Sequence, residues 1–510
     1  LRVTVTGHVD GQDADFDGDA TVNVSSAALE HLQTGGSASV TTADDLTIEE
    51  VIAGTSLTID ADNATIVSGA AGTTASVTTG NDLTIDALAA AGRMTLDVGG
   101  DLTYATLSGG ENLVATVDGH IQGQNADFTG NADIEAGSAA LEHVETGGSA
   151  NVATAGDLAI DEAVVGTTFT VEAGGDATLG AVTTGGDQVL NAGGDLTYTK
   201  LEGDGDLRVT VTGYVDGQIA DFDGNATINA GSADLERLQT GGSANVATAD
   251  DLTIEEVIAG TTLTIDADNA TIVSGAAGTT ASVTTGNDLT IGTLMADGRM
   301  TLDVGGDLTY VTLSGSENLV ATVGGHIDGQ YADFDGDAVV NAASAELTHL
   351  QTDGSANVAT AGDLTIGEVV AGTTLTIDAG NATIVSGAAG TTASVATGND
   401  LTIDALAAAG RMTLDVGGDL TYATLSGGEN LVATVDGHIQ GQNADFTGNA
   451  DIEAGSAALE HLQTGGSASV TTADDLTIEE VIAGTSLTID ADNATIVSGA
   501  AGTTASVTTG

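Results

Sequence analysis

The sequence contains no proline, no cysteine and no tryptophan, and only seven lysines and arginines among 510 residues. The absence of cysteine excludes disulfide staples and thiolate metal centres. Aromatic residues amount to six phenylalanines and six tyrosines, so small aliphatic side chains must pack the core in place of aromatic anchors. The few basic residues face 74 aspartates and glutamates, a net charge of −67. Such a surface excludes nucleic acid as a partner, because phosphate neutralisation needs positive charge, and it disfavours anionic membranes for the same reason. No stretch approaches the ~20 apolar residues of a membrane-spanning helix. The opening residues, LRVTVTGHVD, have neither the basic nor the apolar region of a secretion signal. A chain this acidic stays soluble by self-repulsion and calls for screening or bound cations, conditions met in a saline or calcium-containing extracellular medium.

What the sequence has in abundance is repetition, together with 73 glycines. The segment LTIDALAAAGRMTLDVGGDLTYATLSGGENLVATVDGHIQGQNADFTGN occurs at Leu83 and again at Leu401. Cutting at such recurrences gives super-repeats 1–112, 113–206, 207–318 and 319–430, with a truncated fifth at 431–510. Each divides into rungs of 18 or 19 residues, 27 complete rungs in all, and the second super-repeat is shorter than its neighbours by one 18-residue rung. A single continuous solenoid that gains and loses rungs is the architecture this predicts. The pattern is in phase at Leu1 and is cut within a rung at Gly510, so a longer chain is expected in both directions.

Within a rung the apolar period is two, as in strands. In Met94 to Asn112 the inward residues are Met94, Leu96 and Val98, then Leu102 and Tyr104, then Leu107. Ala38, Val40, Leu46, Ile48 and Val51 repeat the phase, as do Met300, Leu302, Val304, Leu308, Tyr310 and Leu313. GG, GN, DG and DN pairs lie between these runs and are expected to supply positive φ at corners. Each rung therefore reads as three short strands and three corners, and the 18-residue rungs as losing one residue at the first corner. The fold class is all-β, a parallel β-helix. A helix over SAALEHLQT at Ser26, whose leucines stand three apart, is the weaker reading, because one or two isolated turns are marginal and the flanking rungs impose strand phase.

Rungs such as GGDLTYATLSGGENL and GNDLTIDALAAAGRMTLDVGGDLTY resemble the haemagglutinin-type repeats of filamentous haemagglutinin and related giant adhesins exported by two-partner secretion. The resemblance covers essentially the whole chain. It implies a right-handed parallel β-helix, the hand that parallel crossovers also prefer. It further implies a cell-surface or extracellular location and a role in adhesion or biofilm cohesion, with cell-surface or matrix glycans and further copies of the same repeat as partners, through lateral or end-to-end assembly. The amino-terminal secretion domain of that family is not in this sequence, and the acidity exceeds the family pattern.

No cofactor is required by the pattern, and Ca²⁺ is the one ligand it suggests. Asp13, Asp15, Asp17 and Gly18 match the opening D-x-D-x-D-G of a calcium loop, although the residue twelve along is Val24 and not a bidentate glutamate. The alternative is a solvated acidic turn. The eight histidines fall in two columns, His8, His120, His326 and His438, and His31, His143, His349 and His461, with Tyr214 and Arg237 replacing them once. Asn63, Asn225, Asn269, Asn381 and Asn493 begin N-A-T sequons, acceptors of N-glycans on secreted chains, yet asparagine is independently favoured at tight corners. Outward Thr58, Thr95, Thr264, Thr301 and Thr413 form a column that could order water on an ice-binding face, but Arg2, Val114, Asp133 and Arg208 interrupt it. Every candidate carboxylate recurs in near-copies and no loop exceeds its rung, so no catalytic residues are assigned.

Overall fold

The computed structural model describes residues 1–510 and contains strands and no helix. Packing divides it into two units, Leu1–Val257 and Ile258–Gly510, and each is a parallel β-solenoid built from the expected rung. In the first unit, Met94–Val98 pairs in parallel with Ala75–Thr79 on one side and with Leu113 to Val117 on the other. Leu102–Gly109 lies between Leu83–Ala90 and the stretch from Ile121 to Phe128. The second unit repeats this: Met300–Val304 sits between Ala281–Thr285 and Leu319–Val323, and Leu308–Gly315 between Leu289–Ala296 and His326–Phe334.

The inward phase follows the two-residue period. Met94, Leu96, Val98, Leu102, Tyr104 and Leu107 are all buried, as are Ala38, Val40, Leu46, Ile48 and Val51. SAALEHLQT is a strand, Ser26–Thr34, with Leu29 and Leu32 both buried. Its helix-like spacing arises because Leu29 and Leu32 straddle a corner: Leu29 pairs with Ile48 and His31 with Glu50, while Glu30 between them pairs with nothing. That corner does not interrupt the ladder. In Leu102–Gly109 pairing runs through Tyr104, omits Ala105 and resumes at Thr106, so the second and third expected strands are one bent run. In the 18-residue rungs the first corner is shorter, two residues separating Ala61 from Ala64 where three separate Val98 from Leu102.

The expected role of glycine is corrected. No residue has positive φ, glycines included, so neither glycine nor asparagine is needed here for a left-handed corner. The requirement comes from close stacking. In GGD at Gly99 to Asp101, a Cβ on Gly99 would overlap the Gly80 carbonyl of the previous rung, and a Cβ on Gly100 would overlap the Asp82 carboxylate. Glycine keeps the corners close enough for one rung to bond the next.

Candidate functional site

The polar chemistry is concentrated at the corners, and it is directed along the stack. At the first corner, Asp82 Oδ1 accepts the backbone N–H of Asp101 at 2.9 Å, and Asp101 Oδ1 accepts that of His120 at 2.7 Å. The second unit has the same chain: Asp288 accepts from Asp307 and Asp307 from His326, then Asp400 from Asp419 and Asp419 from His438, at 2.7–2.9 Å. The third corner has its own column. Asp187 accepts from the N–H of Asp206, Asp206 from Asn225 and Asn225 from Ser243. Elsewhere asparagine fills the same place, Asn112 accepting from Asn131 and Asn131 from Ser149. Asp and Asn interchange because both present an Oδ1 acceptor. Part of the acidic character thus satisfies corner N–H groups that no strand can reach.

The sequon asparagines belong to this system. Asn63 donates from its side-chain amide to Asp45 Oδ1 at 2.9 Å and accepts from the Asp82 N–H at 3.2 Å. Asn381 does the same between Asp363 and Asp400. Both ends of the amide are engaged in the corner.

Each histidine column joins two rungs. His8, His120, His326 and His438 bond through Nδ1 to Ser26, Ser138, Ser344 and Ser456, all at 2.8 Å. His31, His143, His349 and His461 meet Glu50, Glu162, Glu368 and Glu480 at 2.7–3.0 Å. Arg237 keeps the pairing where it replaces histidine, 3.5 Å from Glu256. Tyr331 stacks on His349 with ring centroids 4.7 Å apart, so this pair presents ring edges outward.

Asp13, Asp15 and Asp17 are exposed. Asp13 and Asp15 lie in the extended strand His8–Phe16, paired with His31 and Gln33, and Asp17 lies at the bend beyond it. They do not wrap a common centre as a calcium loop does, and no group of three or more metal-binding side chains forms anywhere in the chain. The D-x-D-x-D spacing falls along a strand, where alternation places carboxylates in a row.

The interrupted threonine column is as read, with Thr95 followed by Val114 and Asp133. Another column was missed. Thr47, Thr65, Thr84 and Thr103 stand in register on four successive rungs, as do Thr365, Thr383, Thr402 and Thr421 in the second unit. The available signal was the recurring Asp/Asn-x-Thr triplet. Inward threonines were missed too. Thr34, Thr42 and Thr79 are buried, and each donates its hydroxyl to the carbonyl two residues on, at 2.9–3.0 Å. This local bond allows threonine to end a buried face.

Four tyrosines, Tyr104, Tyr198, Tyr310 and Tyr422, are buried, and burial pushes their hydroxyls well above the ordinary tyrosine range. They are neutral core residues. An open groove of about 670 Å³ runs beside the first corner of the first unit, floored by Ala136, Ala173 and Ala192 and edged by Glu135, Glu172 and Asn191. A counterpart of about 530 Å³ lies along Asn341 to Gly398 in the second. Compared with protein-family models, with curated proteins and with solved structures, the chain has no match.

Proposed function

We propose that this chain is a non-catalytic structural rod outside the cell, the stalk of an adhesin or a filament of a surface matrix, of the filamentous haemagglutinin-like kind. The observation that carries this reading is the use of the polar residues. Corner carboxylates, amides and histidines bond the neighbouring rung, so the chemistry that could have served a reaction serves cohesion along the stack. Such a stack projects a tip or spaces partners at a set distance. Negative-stain images of the purified chain test it. Twenty-seven rungs at about 4.8 Å each give stiff rods roughly 130 Å long, and compact particles would reject the proposal. Binding to cultured cells or matrix glycans by the chain alone would separate an adhesive surface from a passive stalk.

A second reading, a surface that itself binds ice, glycan or Ca²⁺, is supported by the unbroken runs Thr47 to Thr103 and Thr365 to Thr421. Ice-recrystallisation inhibition that disappears when Thr65 and Thr84 become lysine would favour this reading over the rod.

A further inference from the structure

Residues 289–337 align without gaps with 83–131 and 401–449, two segments identical to each other. Where 289–337 departs from them, three changes put a large apolar side chain in place of a small or polar one. Met295 stands where the other segments have Ala89 and Ala407, Val311 where they have Ala105 and Ala423, and Tyr331 where they have Asn125 and Asn443. A fourth change removes a charge, Gly292 standing where they have Asp86 and Asp404. All four lie at the bend or on the stretch just past it. Asn269–Ala277, Leu289–Ala296, Leu308–Gly315 and His326–Phe334 are successive neighbours in the second unit. Val273 and Val311 occupy the bend position that pairing omits, Met295 pairs with Ala276 and Ser314, and Tyr331 pairs with Thr312. Val273, Met295, Val311 and Tyr331 are 53%, 49%, 46% and 41% exposed. They form an apolar strip across four rungs, about 15 Å long at strand spacing.

The first three of these strands contain no charged residue, in a chain with 74 aspartates and glutamates. The segment as a whole is not less acidic. Asp297, Asp328, Asp335 and Asp337 stand where residues 83–131 have Ala91, Gln122, Thr129 and Asn131, so charge is withdrawn from the face and added around it. Exposed apolar side chains gathered in one strip mark a contact surface, and the missing charge points to the occupant. A basic partner is drawn to acidic surface and loses attraction where a carboxylate is withdrawn. A partner that gains is one that is itself acidic, because like charges repel at close approach. We propose that this face is the contact between two copies of this chain, laid side by side about a two-fold axis so that each presents the same strip to the other. The proposal deepens the lateral assembly expected of such a rod and rests on that reading only for its purpose; rods that stay single would refute the contact and leave the rod standing. The strip is smaller than the ~800 Å² per partner of a stable complex, so one contact is weak and transient.

Sedimentation equilibrium of the full chain, over about 5–500 µM, reads the pairing at low and at high NaCl. The average mass is expected to rise toward that of a dimer, and at lower concentration in high salt, which screens the acidic surroundings and leaves the apolar contact. The triple variant Met295→Ala, Val311→Ala, Tyr331→Asn carries residues that the equivalent rungs already hold, so its fold is retained. It should pair about tenfold or more weakly. A second measurement uses the absence of cysteine. Ser314 and Ser108 occupy the same place in equivalent rungs and are both half-buried. Under one mild oxidant, Ser314→Cys should form an intermolecular disulfide about tenfold faster than Ser108→Cys, because pairing raises the local concentration of the first thiol alone. A chain that stays monomeric in both salts, pairing that salt weakens, a triple variant that pairs as well as the parent, or equal cross-linking at the two cysteines would overturn the proposal.

Discussion

Replacing Asp101 by asparagine and by alanine separates what the corner carboxylate gives from what it opposes. Asp101 accepts the His120 N–H at 2.7 Å, and its own N–H is held by Asp82 at 2.9 Å. A hydrogen bond to a charged acceptor contributes about 1.5–3 kcal/mol, and a neutral one about 0.5–1.5. Against this, carboxylates one rung apart lie about 5 Å from each other. They repel by about 0.8 kcal/mol in water and about 3 kcal/mol at the effective dielectric of a protein surface. The two effects are of similar size, and salt acts mainly on the second, since the Debye length falls to about 3 Å at 1 M. Asparagine keeps the acceptor and removes the repulsion, so Asp101→Asn should stabilise the corner by about 1 kcal/mol at low salt and be neutral or slightly unfavourable at 1 M NaCl. Alanine removes both, so Asp101→Ala should be nearly neutral at low salt and destabilising by about 1–2 kcal/mol at 1 M. Repeat arrays unfold in parts, so the assay is native-state exchange of the His120 amide and its neighbours, read at 20 mM and at 1 M NaCl. A further arm in millimolar CaCl₂, matched in ionic strength with NaCl, tests whether Ca²⁺ acts beyond screening. If the alanine and asparagine variants behave alike in both salts, the corner bond contributes nothing and the reasoning fails.

Asp at the buried position Leu308 should disrupt its rung by several kcal/mol through an unpaired buried charge, while Asp at the adjacent exposed Thr309 should change stability by under about 1 kcal/mol; equal losses in melting would show the inward phase to be wrong. Gln188 is fully buried, with its amide nitrogen on the Glu202 carbonyl at 2.8 Å and its side-chain oxygen without a partner. Gln188→Leu is expected to raise local stability by about 1–2 kcal/mol, and a loss of that size in denaturant melts would mean that the Glu202 bond dominates. The four buried tyrosines hold their protons more tightly folded than unfolded, so their contribution to stability is complete below about pH 10 and declines as pH rises above it. Ultraviolet titration should show Tyr214 and Tyr331, the exposed pair, ionising first, with the remaining tyrosinates appearing only on unfolding; a single smooth transition of all six would contradict their burial.

The ladder phase was legible because alternation is a property of the chain alone: Met94, Leu96 and Val98 must share a side of any strand. The bend was legible less directly, since Leu29 and Leu32 mimic a helical spacing that only the rung above explains. The role of the glycine pairs was not legible, because a left-handed corner and a close approach between rungs select the same residue. The aspartate columns left little signal for a related reason. Their partner is a backbone N–H, which has no letter in the sequence, and Asn and Asp alternate where a conventional motif would keep one of them. Asp13, Asp15 and Asp17 show the opposite case, a familiar spacing that lies on a strand and the bend beyond it.

The bonds from corner side chains to backbone N–H groups run in one direction. Asp82 holds Asp101, Asp101 holds His120, and Asn131 holds Ser149; in each case an earlier rung offers the acceptor and a later rung brings the donor. A finished rung therefore presents a set of oxygens already in place for the rung that has yet to form. Backbone bonds at these corners also run the other way, Leu83 N–H to the Asp101 carbonyl and Met94 N–H to that of Asn112, so the direction lies in the side-chain acceptors alone. For a polypeptide that emerges amino end first, whether from a ribosome or through a membrane pore, each completed turn becomes the template for the next, and folding proceeds in the order of emergence. The barrier to order then lies in forming the first turns, after which growth is local at every step and independent of the number of rungs that follow.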